Sequence, residues 1–315
     1  MEPLDAAAVA ALGDMAHQVG GHAGPKAGTS LVYCMLYRSR CWLKAHDGKV
    51  FKPFQSGRRG EREHEFYTRV FGPDAPPALT SLIPFVPRYF GVVEAPPSDD
   101  GAPSDSTEHF PLQAKFLVLE DLTFGRAWPC IMDVKVGTRS FERDATPEKV
   151  AYEQSKFPLQ QAAGFRLQGI KAFDAAAQAY VELDKHFGRR PATIDELPPA
   201  FARFFPADDR DKTRFLLQAF LARLEALAAW FDTQQDAEFV ASSLLFVYSG
   251  EPNRGVPPGD LQQAFAPDIR LIDFAHVTHP DPPSRDEGVC TGLQTLIECF
   301  RRLLERSANG SGRQG

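Results

Sequence analysis

The sequence predicts an α+β fold. Stretches that alternate apolar with polar residues, or that form brief apolar runs, are typical of strands, and they recur from residue 30 to residue 274. Residues 211–234 and 293–304 instead carry apolar side chains at helical spacing, which indicates two long helices packed against a core. A chain of 315 residues is long enough for one large domain or for two smaller domains around a cleft.

Composition narrows the function classes. A hydrophobic content of 43% and a charged content of 24% are ordinary for a soluble globular protein. The net charge of −6 argues against a general nucleic-acid binder, whereas a small polyanion needs only a local basic cluster. The five cysteines include no CxxC pair, which favours a reducing compartment and gives no support to a zinc site. We see neither a signal peptide nor an apolar run of membrane-spanning length, so we expect a cytoplasmic or nuclear protein without membrane insertion.

The elements follow in order along the chain. Residues 96–111, rich in Pro, Ser, Asp and Gly, are predicted to be a mobile surface insertion, and the tail from residue 307 to be disordered. A His-Asp-Gly turn at residues 46–48 predicts a hairpin. The predicted helices cover residues 1–18, 58–71, 146–157, 211–234 and 293–304. The predicted strands cover residues 30–43, 48–54, 86–93, 115–122, 129–137, 164–173, 242–248 and 269–274.

The stretch PCIMDVKVG (residues 129–137) carries the strongest chemical signal. Its alternation places Asp133 and Lys135 on one face of a strand, about 7 Å apart. They form either a structural ion pair or half of a nucleotide site, in which the carboxylate meets ribose hydroxyls and the ammonium meets phosphate. Asp273 ends another apolar run, where a carboxylate is costly unless it is paired or binds a metal.

A second signal lies on the helix that follows. Lys149, Tyr152, Glu153 and Lys156 share one face, so the lysines either clamp phosphates or decorate a solvated surface. Glu153 would repel a phosphate unless it points away or pairs with a lysine.

Three ordered stretches resemble the inositol polyphosphate kinase family. They are PCIMDVKVG (129–137), ASSLLFVYSG (241–250) and LIDFAHV (271–277). The segment RGEREHEFY (59–67), the helix after Lys135 and the pair Ala275-His276 look most like the multikinase branch, and the resemblance runs from about His17 to about Glu305. Tyr152 and Glu153 depart from the glutamines that multikinases usually carry there.

The resemblance implies a two-lobed fold of ATP-grasp or protein-kinase type. A small antiparallel amino-terminal lobe would cover residues 1–122, including the insertion. A larger mixed α/β carboxy-terminal lobe would cover residues 123–306, with helix 146–157 binding inositol phosphate, and residues 307–315 would be the tail. ATP would lie between the lobes, with its adenine on the backbone of Glu120 and Leu122.

The resemblance also implies an ATP- and Mg²⁺-dependent kinase. A monomer would phosphorylate hydroxyls of soluble inositol polyphosphates, from tris- and tetrakisphosphates upward. Catalysis would involve Lys52, which holds the ATP phosphates and pairs with Glu63, and Asp273, which holds Mg²⁺. Asp133 would bind ribose, and Lys135 would lie between the γ-phosphate and the acceptor. The implied substrate contacts are Arg59, Lys135, Lys149, Lys156, Lys185 and His276.

Two alternatives stay open. The alternatives to this kinase are an inositol hexakisphosphate kinase that makes pyrophosphates and a non-catalytic scaffold with the same fold. It lacks the His-Arg-Asp catalytic loop of protein kinases, which argues against a protein substrate, and it lacks a Walker A loop.

Overall fold

The computed structural model describes residues 13–14, 44–94 and 115–309, which form two five-stranded antiparallel sheets with helices packed around them. The predicted strand over residues 30–43 and the predicted insertion over residues 96–111 lie outside the described residues. The predicted helix over residues 1–18 is wrong at Gly13–Asp14, which form a strand paired with Lys44 and Ala45. Gly and Asp are weak helix formers, so pairing along the edge of a sheet prevails over the local amphipathic pattern.

The amino-terminal sheet has the strand order β1-β2-β3-β5-β4. Its β2–β3 hairpin turns through Asp47 and Gly48, both at positive φ, as the predicted turn requires. Two helices accompany the sheet, α1 (Arg59–Phe71) and α2 (Pro77–Thr80). The strands are β1 (Gly13–Asp14), β2 (Lys44–His46), β3 (Lys49–Pro53), β4 (Tyr89–Glu94) and β5 (Lys115–Glu120).

The carboxy-terminal sheet has the order β11-β10-β6-β7-β8, and a separate two-stranded sheet pairs β9 with β12. The PCIMDVKV motif forms the central strand, so it is paired on both sides, with Lys135 opposite Ser243 on one neighbour and Arg166 on the other. The strands are β6 (Pro129–Val136), β7 (Phe165–Asp174), β8 (Ala179–Leu183), β9 (Glu238–Phe239), β10 (Ser243–Ser249), β11 (Asp268–Ile272) and β12 (Val277–Thr278).

The core lies between this sheet and the two long helices that the sequence predicts. The apolar stripe of α7 (Arg210–Thr233) is buried, as expected, at Leu216, Phe220, Leu224, Leu227 and Phe231. The last helix reaches Asn309, so the disordered tail predicted from residue 307 is wrong at residues 307–309, and residues 310–315 lie outside the described residues. The remaining helices are α3 (Pro147–Ser155), α4 (Gln160–Ala163), α5 (Lys185–Gly188), α6 (Leu197–Ala202), α7 (Arg210–Thr233), α8 (Leu261–Phe265) and α9 (Glu287–Asn309). Within the described ranges, no helix combines the length and apolar character needed to cross a membrane.

A glycine contact fixes α9 against the carboxy-terminal sheet. A Cβ on Gly292 would lie 2.1 Å from the carbonyl oxygen of Gly164, which itself has a φ of +72°. Real Cβ atoms essentially never come this close to a backbone oxygen, so the helix approaches the loop before β7 only because Gly292 has no side chain.

We therefore predict that Gly292→Ala destabilises the protein. Alanine improves helix propensity by about 1 kcal/mol, but the clash with the rigid Gly164 backbone should cost more. A lower melting temperature in calorimetry would confirm the contact. Gly259→Ala is the matched control, because nothing lies within 4 Å of that position. A melting temperature equal to or above the wild-type value for Gly292→Ala would contradict the prediction.

Candidate functional site

Three charged side chains from three different elements meet between the two sheets. Lys52 on β3 donates to Glu63 on α1 at 2.8 Å and to Asp273, just after β11, at 2.6 Å. We call Lys52, Glu63 and Asp273 the ion triad. Burial alone would lower the pKa of Lys52, but the two carboxylates outweigh burial and raise it, so the ammonium stays charged. The predicted pairing of Lys52 with Glu63 is present.

Asp273 sits in a constrained backbone conformation. Its φ of +66° lies in the left-handed region, which is uncommon for a non-glycine residue. The hydroxyl of Ser242 donates to its carbonyl oxygen at 2.8 Å, and the next residue, Phe274, stacks on Phe66 of α1 at 4.0 Å between ring centroids. The Asp273 side chain remains 42% exposed. Burial would raise the pKa of Asp273, but Lys52 and Lys135 outweigh this effect and lower it, so an ionised carboxylate faces the cleft.

Asp133 and Lys135 lie beside the ion triad on the central strand. Lys135 Nζ donates to the carbonyl oxygen of Ala241 at 2.6 Å. Burial lowers the pKa of Lys135, against the attraction of Asp273 and Asp133. Asp133 is buried, and its Oδ1 has no hydrogen-bond partner within the protein. Burial, reinforced by the negative charge of Asp273, raises the pKa of Asp133 to about 7. A buried acceptor without a partner is costly. This carboxylate is therefore suited to accept a hydrogen bond from a bound ligand.

The face of α3 carries the predicted lysines around a buried acid. Thr146 caps the helix by accepting a hydrogen bond from the Lys149 backbone amide. Glu153 Oε1 accepts from Lys156 Nζ at 2.6 Å and lies 3.5 Å from Lys149 Nζ. Glu153 thus pairs with both lysines, and this pairing reduces its repulsion of a phosphate. We call α3 the basic helix.

Arg166 on β7 is a site residue that we did not single out from the sequence. It lies opposite Lys135 in the strand pairing and is 4% exposed, and its Nε and Nη1 have no hydrogen-bond partner. Burial and the positive charge of Arg189 lower the pKa of Arg166, against the attraction of Glu153 and Asp133. The sequence predicts the strand that carries Arg166, but the position of this arginine beside Lys135 depends on strand register.

The other predicted substrate residues occupy separate places around the site. Arg59, at the start of α1, is exposed and donates to the hydroxyl of Ser56 at 2.8 Å rather than joining the ion triad. Lys185 is the first residue of α5, which packs against β7. His276 Nδ1 lies 2.9 Å from Glu142 Oε1, which also accepts from Arg62 Nη1 at 2.6 Å.

The segment predicted to bind adenine connects the two sheets. The Glu120 backbone amide donates to the Arg88 carbonyl oxygen at 2.9 Å, and the Leu122 carbonyl oxygen accepts from Arg126 Nη1 at 2.5 Å. Arg270 on β11 donates to Glu120 Oε2 at 3.2 Å. Arg126 and Arg270 therefore hold the segment that connects the two sheets in place. Its contact with adenine stays a prediction.

The donor set fits a metal bound together with a nucleotide. In the described part of the chain, no group of three or more His, Cys, Asp or Glu side chains is arranged to hold a metal ion. Mg²⁺ commonly takes one or two protein carboxylates and completes its shell with phosphate oxygens and water. The half-exposed Asp273 carboxylate, with Lys52 beside it for phosphate, meets that requirement.

The Asp133 carboxyl predicts a pH-dependent stability without ligand. Its pKa in the folded state, about 7, exceeds the ordinary value of 3.8, so the folded state binds more protons between these values and this group makes the protein less stable as pH rises. We expect Asp133→Asn to raise the melting temperature at pH 8 and to have little effect at pH 4. Asp144→Asn, at an exposed loop position, is the control. An equal effect of Asp133→Asn at both pH values would contradict this prediction.

Comparisons with known proteins agree with this geometry. A family model described as inositol polyphosphate kinase matches residues 116–301. The chain is 35% identical over 238 residues to the inositol polyphosphate multikinase of Rattus norvegicus, a match that covers 75% of this chain and 53% of that protein. It is 32% identical over 208 residues to inositol hexakisphosphate kinase 3 of Mus musculus, which covers 61% of this chain and 51% of that protein. The chain spans about half the length of the curated relatives it matches.

A solved structure resembles the whole arrangement. It is an inositol phosphate multikinase from S. cerevisiae in complex with ADP and Mn²⁺, with a TM-score of 0.62 and 26% identity. The match covers 82% of this chain and 100% of that chain. The predicted α+β, two-lobed kinase-like fold is confirmed. With a family model that matches more than half of its residues, the chain belongs to the inositol polyphosphate kinase family.

Proposed function

We propose that this protein is an ATP- and Mg²⁺-dependent kinase that phosphorylates hydroxyl groups of soluble inositol polyphosphates, with tris- and tetrakisphosphates as acceptors. One observation carries the proposal. Ser243 pairs with Lys135 on one side and with Ile272, the residue before Asp273, on the other, so the strand register brings the central strand and the ion triad to the same end of the sheet. Groups suited to phosphate and to a metal ion therefore lie together.

The ion triad and the central strand would hold ATP. Lys52 carries a permanent positive charge for the non-transferred phosphates, and Glu63 fixes its position. The Oδ1 atom of Asp133, which has no partner within the protein, accepts a hydrogen bond from a ribose hydroxyl. The backbone of Glu120 and Leu122 binds adenine. Asp273 holds Mg²⁺, which when bound neutralises charge on the β- and γ-phosphate oxygens.

Phosphoryl transfer then requires mainly positioning and charge stabilisation. The bond between the γ-phosphorus and the bridging oxygen to the β-phosphate breaks, and ADP leaves with that oxygen. A bond from the γ-phosphorus to the inositol oxygen forms, and the proton of the acceptor hydroxyl is released to solvent. Lys135 lies between the two substrates and stabilises the negative charge of the transferred group. Its ammonium, now bonded to the Ala241 carbonyl oxygen, has two further N–H donors for this purpose.

Basic side chains from α1, α3 and its C-cap, α5, β6 and β7, and from the loop before β12, would bind the inositol phosphates. The buried Arg166 is added to the predicted set because its two unpartnered nitrogens lie beside Lys135. Similarity to an inositol hexakisphosphate kinase keeps pyrophosphate synthesis as an outcome of the test rather than a second proposal. The monomeric state and the cytoplasmic or nuclear compartment stay predictions. The set is Arg59, Lys135, Lys149, Lys156, Arg166, Lys185 and His276.

The decisive experiment is an ATP-dependent assay across inositol tris-, tetrakis-, pentakis- and hexakisphosphate, with products resolved by ring position. We expect Mg²⁺-dependent phosphorylation of the tris- and tetrakisphosphates. Pyrophosphate products from hexakisphosphate as the preferred reaction would replace the proposal with its closest rival. Absence of transfer to every inositol phosphate, with ATP still bound, would favour a scaffold.

We predict that Lys135→Ala abolishes phosphoryl transfer while ATP binding and melting temperature stay near wild type. The lysine contacts the transferred group, and its loss removes charge stabilisation of the transition state, for which about 10²–10³-fold in kcat is typical of a single donor. Lys171→Ala is the matched control, because Lys171 lies in the same sheet opposite Ile131, away from the reactive end of β6. A near-normal kcat for Lys135→Ala would remove this residue from the mechanism.

We predict that Asp273→Asn loses Mg²⁺-dependent turnover. An amide oxygen is a poor substitute for a charged oxygen ligand, and it also weakens the pairing with Lys52. Steady-state rates over a Mg²⁺ titration should show no recovery to the wild-type rate at saturation. Full recovery at high Mg²⁺ would show that another group holds the metal.

A further inference from the structure

A buried acid lies within the cluster of cations proposed to bind the substrate. The side chain of Glu153 is 9% exposed, whereas that of Lys149 is 55% exposed. The Oε1 atom of Glu153 accepts a hydrogen bond from Lys156 Nζ at 2.6 Å and lies 3.5 Å from Lys149 Nζ. The two lysines bring two positive charges to the basic helix, and the carboxylate cancels one of them.

The carboxylate cannot easily leave this position. The Lys156 ammonium is held on two sides, by Glu153 and by the face of the Tyr152 ring at 4.2 Å from the ring centroid. Burial would raise the pKa of Glu153, but its bond and charge attraction to Lys156 outweigh this and hold the pKa below the usual range. A phosphate that approaches Lys156 therefore shares the ammonium with a fixed negative charge.

Two effects of Glu153 on a polyanionic ligand differ in how they depend on the charge of that ligand. Holding Lys156 in place helps every inositol phosphate that has a phosphate at this point. Repulsion by the carboxylate increases with the number of phosphates near it, because like charges in a partly buried site cost free energy. The net effect favours ligands with fewer phosphates.

Resting on the proposed function, we propose that Glu153 is a specificity-determining residue that limits how many phosphates a bound inositol phosphate carries. The site then accepts tris- and tetrakisphosphates and disfavours penta- and hexakisphosphates. A purely structural role for Glu153 would change the affinity for all of these ligands by the same factor. The ratio of the affinity for inositol hexakisphosphate to the affinity for inositol trisphosphate therefore separates the two roles.

The test uses Glu153→Gln, which keeps the shape of the side chain and removes its charge. We would measure the KM for inositol trisphosphate and the inhibition constant of inositol hexakisphosphate against it, at fixed ATP and low salt. The hexakisphosphate constant should fall about tenfold more than the trisphosphate KM, corresponding to about 1.4 kcal/mol of selective repulsion. The KM for ATP should not change, and the difference should shrink as salt is added.

Two further variants make the result interpretable. Glu148→Gln removes the same charge from an exposed position on the same helix, so its affinity ratio should equal the wild-type ratio. Lys149→Gln lowers the positive charge at an exposed position with little risk to folding, and it should shift the ratio in the opposite direction to Glu153→Gln. This second variant keeps the test valid if Glu153→Gln does not fold.

Specific outcomes would overturn the inference. They are an unchanged ratio in Glu153→Gln, an equal change in Glu148→Gln, or an unchanged ratio in Lys149→Gln. Failure of the proposed function gives a different result, because the wild-type protein would then phosphorylate none of the inositol phosphates. An active wild type whose ratio does not respond to Glu153 would leave the kinase standing and remove the specificity role.

Discussion

The ion triad is the constraint on which the site depends. Lys52 comes from the amino-terminal sheet, Glu63 from the helix that follows it, and Asp273 from the end of a strand in the carboxy-terminal sheet. A buried ammonium without partners would be very costly, so these three elements must come together for Lys52 to remain charged. Glu63 also accepts from the Phe274 backbone amide at 3.3 Å, which ties the left-handed turn at Asp273 to the same helix. One of the contacts that join the lobes thus also prepares the proposed phosphate site.

The central strand extends this arrangement by placing an acid and a base on one face and a second base opposite the first on the neighbouring strand. Asp133 and Lys135 share a face of β6, and Arg166 lies opposite Lys135 on β7. The Lys135 ammonium donates one hydrogen bond to a backbone carbonyl oxygen. Asp133 Oδ1 and two nitrogens of Arg166 have no hydrogen-bond partner within the protein. Structural ion pairs are normally completed by their own hydrogen bonds. Here an acid, Asp133, and a base, Arg166, both have polar atoms without a hydrogen-bond partner. This favours a ligand site at Asp133 and Lys135 over a structural ion pair, the two alternatives that the sequence left open.

Much of the fold was predictable because it depends on local patterns. The two long helices follow from stripes such as Leu216, Phe220 and Leu224, and the hairpin follows from Asp47-Gly48. The strand at Gly13–Asp14 was not predictable, because only its pairing with β2 stabilises it. In the site, alternation placed Asp133 and Lys135 on one face of a strand, and the family resemblance indicated their roles. Arg166 was not, because its place beside Lys135 depends on strand order and register, which a linear pattern does not encode.

The distribution of charge explains how a chain with a net charge of −6 can bind the polyanionic ligand that we propose. Long-range attraction is not required, since at physiological ionic strength exposed charges act over only about 8 Å. What matters is the local balance of charge, in which Glu153 pairs with both Lys149 and Lys156. Glu153 lowers the attraction for a phosphate while fixing the direction of the Lys156 ammonium. A site built in this way gains geometric selectivity at the expense of affinity, because a cation already held in place by an acid can accept a phosphate from only a limited set of directions.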